Sequence, residues 1–279
     1  MSSGPSSIDD CLYGLLVSYP TNNLGDWIQS VAARQFLPRV DLYIDRDFGL
    51  NKVITSKTVK VILNGWFMHH PENFPPSPQI DPLFISFHIS PSVALQMTKP
   101  SIISYYRKHE PIGCRDYYTQ ELLERHGINA YFSGCLTLTL GYKYNVAGEN
   151  ERKGIIIVDI NKDVLDKLPP ILIKRALFLS HKIYRPISEK VIAMAYKTNP
   201  NFYGFVRKCS LLKQICNNIL LVVDKMSSLV NVGIRKIRVK SNKASRKLTI
   251  AEKIIAKYAH ARLVITSRLH VALCCLAFD

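Results

Sequence analysis

Short apolar runs alternate with stretches of helical periodicity along most of this chain. Residues 12–19 are apolar up to Pro20 and read as a buried strand. A loop at 21–25 follows. Residues 26–37 then carry Trp27, Ile28, Val31, Ala32 and Phe36 at near-helical spacing, with Asp26 where an N-cap would sit and Pro38 as the stop. Further strands are expected at 40–44, 59–63, 83–89, 112–114 and 130–132, and helices around 93–97, 102–109 and 117–126.

Apolar strands alternating with helices argue for parallel strands covered on both faces, a doubly wound α/β sheet. Ligands of such sheets bind at the carboxyl ends of strands, so the loops after strands are where chemistry is sought. Residues 141–154 are polar and lack periodicity, which makes them the expected linker between a domain at 1–145 and another at 146–279. A second sheet is expected to open at 154–160 (GIIIVDI), with strands at 219–223 and 262–266 and helices at 172–180, 188–196, 247–259 and 269–278. The expected architecture is two Rossmann-like sheets in tandem facing a cleft. An α/β domain ordinarily continues past its last helix into another strand. The sequence stops at Asp279, so a truncated second domain is one reading.

Composition narrows the class. With 47% hydrophobic and 21% charged residues, the 279-residue chain can bury a core, and wholesale disorder is excluded. No apolar run reaches the roughly 20 residues of a membrane span, and residues 1–10 lack a basic leader segment, so a cytoplasmic protein is expected. The net charge of +16 is uneven. Residues 1–150 carry −1, whereas 25 of the 37 basic and 8 of the 21 acidic residues lie beyond, giving +17. Seven basic residues and no acid fall in 235–247. Such a half-chain suits an anionic ligand or polyanion, and equally a solvated lysine-rich surface. The seven cysteines form no CxxC pair, which fits buried thiols in a reducing compartment, and Cys274 and Cys275 read as core.

Three strand-to-helix corners carry candidate chemistry. In Leu263-Val-Ile-Thr-Ser267-Arg268-Leu269-His270 a strand ends, hydroxyl residues turn the chain, and an arginine and a histidine stand at a helix entrance. Helix N–H groups and a guanidinium fork suit carboxylate or phosphate, and an imidazole exchanges protons near neutrality. The bland alternative is a capping arginine and an interior histidine. In Asn23-Leu24-Gly25-Asp26, glycine permits close backbone approach and the polar side chains can hold hydroxyls, although an ordinary capped turn fits as well. In Gly113-Cys114-Arg115-Asp116, Asp116 reads as an N-cap rather than a catalytic group. Among His69, His70, His88 and His181 no two have metal-helix spacing and no nearby carboxylate completes a triad, so neither a protein-bound metal nor a cofactor is expected.

Taken in order, Asn23–Asp26, Gly65-Trp66 after a strand, Gly113–Asp116, Ser133-Gly-Cys-Leu-Thr-Leu-Thr-Leu140 and Val264-Ile-Thr-Ser-Arg-Leu-His270 resemble the polysaccharide pyruvyl transferase family across nearly the whole chain. The resemblance implies a GT-B-like fold and transfer of a pyruvyl group from phosphoenolpyruvate to two sugar hydroxyls, forming a ketal. It implies that His270 and Arg268 are catalytic and that Ser267 and Leu269 border the donor. Arg115 is a second cation there, Asp26 an activator of an acceptor hydroxyl, and Asn23, Gly25 and Gly65 acceptor-side residues. The implied partners are phosphoenolpyruvate and a saccharide, with no specific nucleic acid. The family ordinarily continues beyond the Arg-Leu-His helix into a Gly-x-Pro turn, and residues 235–247 depart from its pattern. A nucleotide-sugar glycosyltransferase of similar architecture and a non-catalytic polyanion binder are the alternatives the sequence leaves open.

Overall fold

The computed structural model describes residues 11–67, 69–144, 146–182 and 234–279. The chain clusters into two compact units: Met1–Thr21 with Asp26–Lys143, and Asn22–Gly25 with Tyr144–Asp279.

The first unit is built on one parallel sheet. Strands β1 (Cys11–Val17), β2 (Leu42–Asp45), β3 (Thr58–Phe67), β4 (Ile80–Ile89), β5 (Ile112–Cys114) and β6 (Ala130–Phe132) lie in the order β2-β1-β3-β4-β5-β6, and every neighbouring pair is parallel. Helices α1 (Leu24–Arg34), α2 (Ala94–Met97), α3 (Pro100–Lys108) and α4 (Tyr117–Glu124) connect them. Burial explains the apolar runs in β1 and in the middle of β3. Leu16, Val61, Leu63, Phe84, Phe87 and Ile112 form the centre of the core. Phe67 and Phe84 meet Phe87 with ring centroids 4.7 and 5.0 Å away.

An irregularity divides β3 and β4. Leu63 pairs with Phe84, but Gly65 pairs with Phe87, so β4 carries one extra residue across this step. Both strands bend through left-handed backbone there, Gly65 at φ +107° and Ser86 at φ +57°. Glycine adopts that conformation freely, whereas serine must be held in it. The Ser86 N–H donates to the Ser133 hydroxyl at 3.0 Å, and the Ser86 hydroxyl donates to the Gly134 carbonyl at 2.8 Å. Beyond the bulge, Trp66 is paired with His88. Bulges re-aim side chains in this way next to functional sites.

The second unit has strands β7 (Ile155–Val158), β8 (Ala176–Leu179) and β9 (Leu263–Thr266), parallel and ordered β8-β7-β9. Its helices among the described residues are α5 (Lys162–Leu165), α6 (Pro170–Arg175), α7 (Ile234–Ala259) and α8 (Leu269–Leu276). Ile157, Leu165, Ala176 and Phe178 form its core. Helix α7 buries Ala244, Leu248, Ala251, Ile255 and Tyr258, the spacing of one helical face.

Several sequence expectations are corrected. Residues 172–180 do not form one helix. α6 ends at Arg175, and 176–179 become β8, because pairing from Ile155↔Ala176 to Val158↔Leu179 overrides the helix preference of alanine and leucine. Helix α7 begins well before residue 247 and contains the basic run, in keeping with the good helix propensity of lysine and arginine. The helix expected at 188–196, the strand at 219–223, Cys209 and Cys216 lie outside the described residues. Among the described residues, no helix is long and apolar enough to cross a membrane.

Candidate functional site

In the second unit, the central strand delivers the organising residue. Val158 and Thr266 are register partners, so Asp159 and Ser267 leave β7 and β9 side by side at the carboxyl edge. Asp159 sits at φ +44°, which is rare for a residue other than glycine. Its carboxylate accepts from Arg268 Nε at 3.0 Å and from the His181 N–H at 3.0 Å, both at Oδ2. Its carbonyl accepts the Ser267 hydroxyl at 2.6 Å. The Thr266 hydroxyl accepts the Arg268 N–H at 2.9 Å and donates to the Val158 carbonyl at 3.1 Å. Arg268 is thus fixed through backbone and side chain. Its Nε is committed to Asp159, which leaves the Nη groups as the donors for an anion.

His270 stands in the first turn of α8. A Cβ added at Gly25 would lie 3.0 Å from His270 Nδ1, so glycine is what lets the loop and the imidazole approach each other. That loop is tied to the end of β8. The Leu24 N–H donates to the His181 carbonyl at 2.6 Å, and Asn23 bridges Lys182. Asn23 Oδ1 accepts the Gly25 N–H at 3.1 Å, so Asn23 caps α1. Asp26 lies in the first turn of the helix and is not its cap. His181 is buried and its Nε2 is 2.8 Å from the Tyr258 hydroxyl. Burial pushes the His181 imidazole down to about 4. His270 and Arg268 reinforce that shift and Asp159 opposes it. Burial likewise pushes the Tyr258 phenol up. Tyr258 therefore donates, and His181 accepts as a neutral ring.

The first unit holds a second polar group. Asp26 Oδ2 accepts the Thr21 hydroxyl at 2.7 Å, and its Oδ1 is 3.5 Å from Arg46 Nη1. Arg46 also forks onto Asp47 at 3.1 and 3.2 Å. Burial works against the Arg46 charge, but the two carboxylates outweigh it and raise its pKa. Arg115 Nη1 donates to Gln29 Oε1 at 3.2 Å, and burial lowers its pKa. Ser18, Asp26, Gln29, Arg46, Asn64 and Gly65 line a small cleft beside it.

A third group lies at the ends of β4 and β5. His88 Nδ1 is hydrogen-bonded to Asp116 Oδ2. Asp116 caps α4 through the Thr119 N–H at 2.9 Å and also accepts the Thr119 hydroxyl at 3.0 Å. Burial opposes ionisation of Asp116, yet the bonds from His88 and Thr119 prevail and hold its carboxyl below the usual range. No carboxylate stands next to His88 in the sequence, yet the fold supplies one in Asp116. Its partner is 28 residues away and reaches it only because β4 and β5 are neighbours.

The residues singled out from sequence fall into two sets. Asn23, Gly25, Ser267, Arg268, Leu269 and His270 belong to the second unit, and Asp26, Gly65 and Arg115 to the first. Asp159 and Arg46 were missed, and His181 was weighed only as a metal or triad residue. A polar residue directly after an apolar strand is the signal that could have found Asp159 in GIIIVDI.

Parallel strands ending in corners that present arginine, histidine and aspartate define an α/β protein with polar sites at its strand ends. More particularly, the chain belongs to the polysaccharide pyruvyl transferase family, whose model matches residues 23–279. Membership makes it a transferase acting on polysaccharides. No curated protein and no solved structure matches the chain.

Proposed function

We propose that the protein transfers the pyruvyl group of phosphoenolpyruvate to two hydroxyls of a sugar in a polysaccharide or glycan, closing a pyruvate ketal. One observation carries the reading: Asp159 clamps Arg268 two positions ahead of His270, at a strand-to-helix corner. The donor bears a carboxylate and a phosphate, which the Nη groups of Arg268 suit. Ser267 and Leu269 border that anion, and Asn23 and Gly25 border the imidazole. His270 gives a proton to the methylene carbon, and the adjacent carbon becomes oxocarbenium-like. A sugar hydroxyl oxygen bonds to that carbon. The C–O bond to phosphate breaks, and a second hydroxyl closes the ketal. Of the two hydroxyl protons, one replaces the proton spent on the methyl group and the other leaves with phosphate. Arg268 offsets the charge that develops.

In this reading the halves are Rossmann-like domains of GT-B type. Residues 1–145 serve the acceptor through Asp26 and Gly65, and residues 146–279 serve the donor. A cytoplasmic location accords with the use of phosphoenolpyruvate. The test is phosphate release from phosphoenolpyruvate in the presence of saccharide acceptors. His270→Ala and Arg268→Ala should each lower turnover by about 10²–10⁴-fold with the fold intact. Wild-type turnover in both variants would remove the proposed site.

A further inference from the structure

We infer that Trp66, His88 and Asp116 form a saccharide-binding subsite on the first unit, in which one sugar hydroxyl donates to His88 Nε2 while the C–H face of the pyranose rests on the Trp66 indole. The inference deepens the proposed function by naming the side chains that take the acceptor.

The bulge at Gly65 and Ser86 is what makes this arrangement. Past it, Trp66 and His88 are paired across adjacent strands, so both side chains leave the same face of the sheet at its carboxyl end. Their ring centroids are 6.3 Å apart, and His69 flanks the indole at 5.7 Å. A serine held in left-handed backbone by two hydrogen bonds is strain kept in place by its surroundings, and such strain gathers where a side chain must be aimed.

The imidazole is oriented. Its Nδ1 faces Asp116, and Asp116 is pinned twice by Thr119. A carboxylate acceptor at Nδ1 fixes the proton there and leaves a lone pair on Nε2. Among the described residues Nε2 has no hydrogen-bond partner, and it is not one of the sealed, unsatisfied atoms. The indole is accessible as well. Trp66 is 36% exposed, whereas Phe84 and Phe87 on the neighbouring strand are at most 1% exposed. A flat apolar face beside one directed acceptor matches a sugar, which offers both a C–H face and hydroxyl donors.

Tryptophan fluorescence reads the subsite directly. The chain has two tryptophans, and Trp27 is fully buried, so acrylamide quenches Trp66 alone. Methyl β-D-galactopyranoside, methyl β-D-glucopyranoside and methyl α-D-mannopyranoside are the probes. At least one should shield Trp66 in the wild-type protein, and His88→Ala should raise its half-saturating concentration about tenfold. Asp116 is a positioning residue. Asp116→Asn keeps the α4 cap, since asparagine caps as well as aspartate, so its Tm should hold while sugar affinity falls about threefold. In phosphate-release assays both variants should raise KM for the acceptor and leave KM for phosphoenolpyruvate unchanged. An unchanged acceptor KM in both variants overturns the subsite and leaves the transferase reading standing. Failure of all three glycosides to shield Trp66 overturns it too. Shielding that depends on His88 in a protein that releases no phosphate from phosphoenolpyruvate supports the subsite and overturns the transferase reading.

Discussion

Substitution of Asp159 separates charge, hydrogen bonding and backbone strain at the donor corner. Asp159→Asn retains an oxygen able to accept from both Arg268 Nε and the His181 N–H, which now lie 3.0 Å from one carboxylate oxygen. Asparagine also tolerates left-handed backbone. Only charge is lost. The guanidinium keeps its charge, so the hydrogen bond stays charge-assisted and what is lost is the ion pair, worth about 0.2–1 kcal/mol for an exposed pair and somewhat more here because Asp159 is mostly buried. Because the Arg268 side chain is 35% exposed, solvent screening brings the difference to about 1 kcal/mol. Asp159→Ala removes the acceptor. His181 is 1% exposed, so its N–H is stranded at a cost of about 1–3 kcal/mol. Alanine at φ +44° adds about 1 kcal/mol more. Asp159→Gly also lacks the acceptor but adopts this backbone freely. It should exceed Asp159→Ala by about 0.5–1 kcal/mol after allowing for the greater entropy of the unfolded glycine chain. Urea unfolding at pH 7 should therefore rank wild type above Asn, Asn above Gly, and Gly above Ala. In phosphate release, Asp159→Asn should raise KM for phosphoenolpyruvate about fivefold, the equivalent of about 1 kcal/mol. Asp159→Ala as stable as Asp159→Asn would refute the hydrogen-bonded hub. Asp159→Gly less stable than Asp159→Ala would refute the strain.

Arg46→Ala leaves the Asp26 and Asp47 carboxylates buried and uncompensated, so urea unfolding should show a loss of about 3–5 kcal/mol. His181 has a folded-state pKa of about 4 against an ordinary 6.5, so the unfolded chain binds its proton first as pH falls. Its stabilisation is full above 6.5 and lost as pH drops toward 4. Unfolding free energy in that window should fall by up to about 1.4 kcal/mol per pH unit, and His181→Asn should flatten the slope. Gly25→Ala sets a Cβ 3.0 Å from His270 Nδ1 and 3.3 Å from Asn23 Oδ1. It should cut phosphate release about tenfold by displacing the imidazole, while thermal unfolding changes little.

Sequence pattern carried the parts of the fold that are local. Strands β1, β3 and β4 announce themselves because the buried stretch of a parallel strand is rich in apolar residues, although β3 and β4 carry exposed Lys60 and Asp81 near their starts. Asp116 was legible as a cap because its bond to the Thr119 N–H spans three residues. What escaped depends on distance along the chain. Asp159 meets Arg268 across 109 positions, and His88 meets Asp116 across 28. Neither spacing is a motif, since strand adjacency sets both. Strand β8 was taken for helix because four residues of alanine, leucine and phenylalanine suit either state until β7 supplies hydrogen bonds. The cap of α1 was assigned to Asp26 instead of Asn23 because both residue types cap well, and only the Gly25 N–H bond decides between them.

Four residues from near the start of the chain, Asn22–Gly25, complete the second unit. The gene therefore cannot be cut near residue 144 into two self-sufficient halves. The downstream piece would lack the peptide whose Leu24 N–H meets the His181 carbonyl and whose Asn23 bridges Lys182. An exchange of halves between relatives would also have to match this tetrapeptide to the second unit it joins.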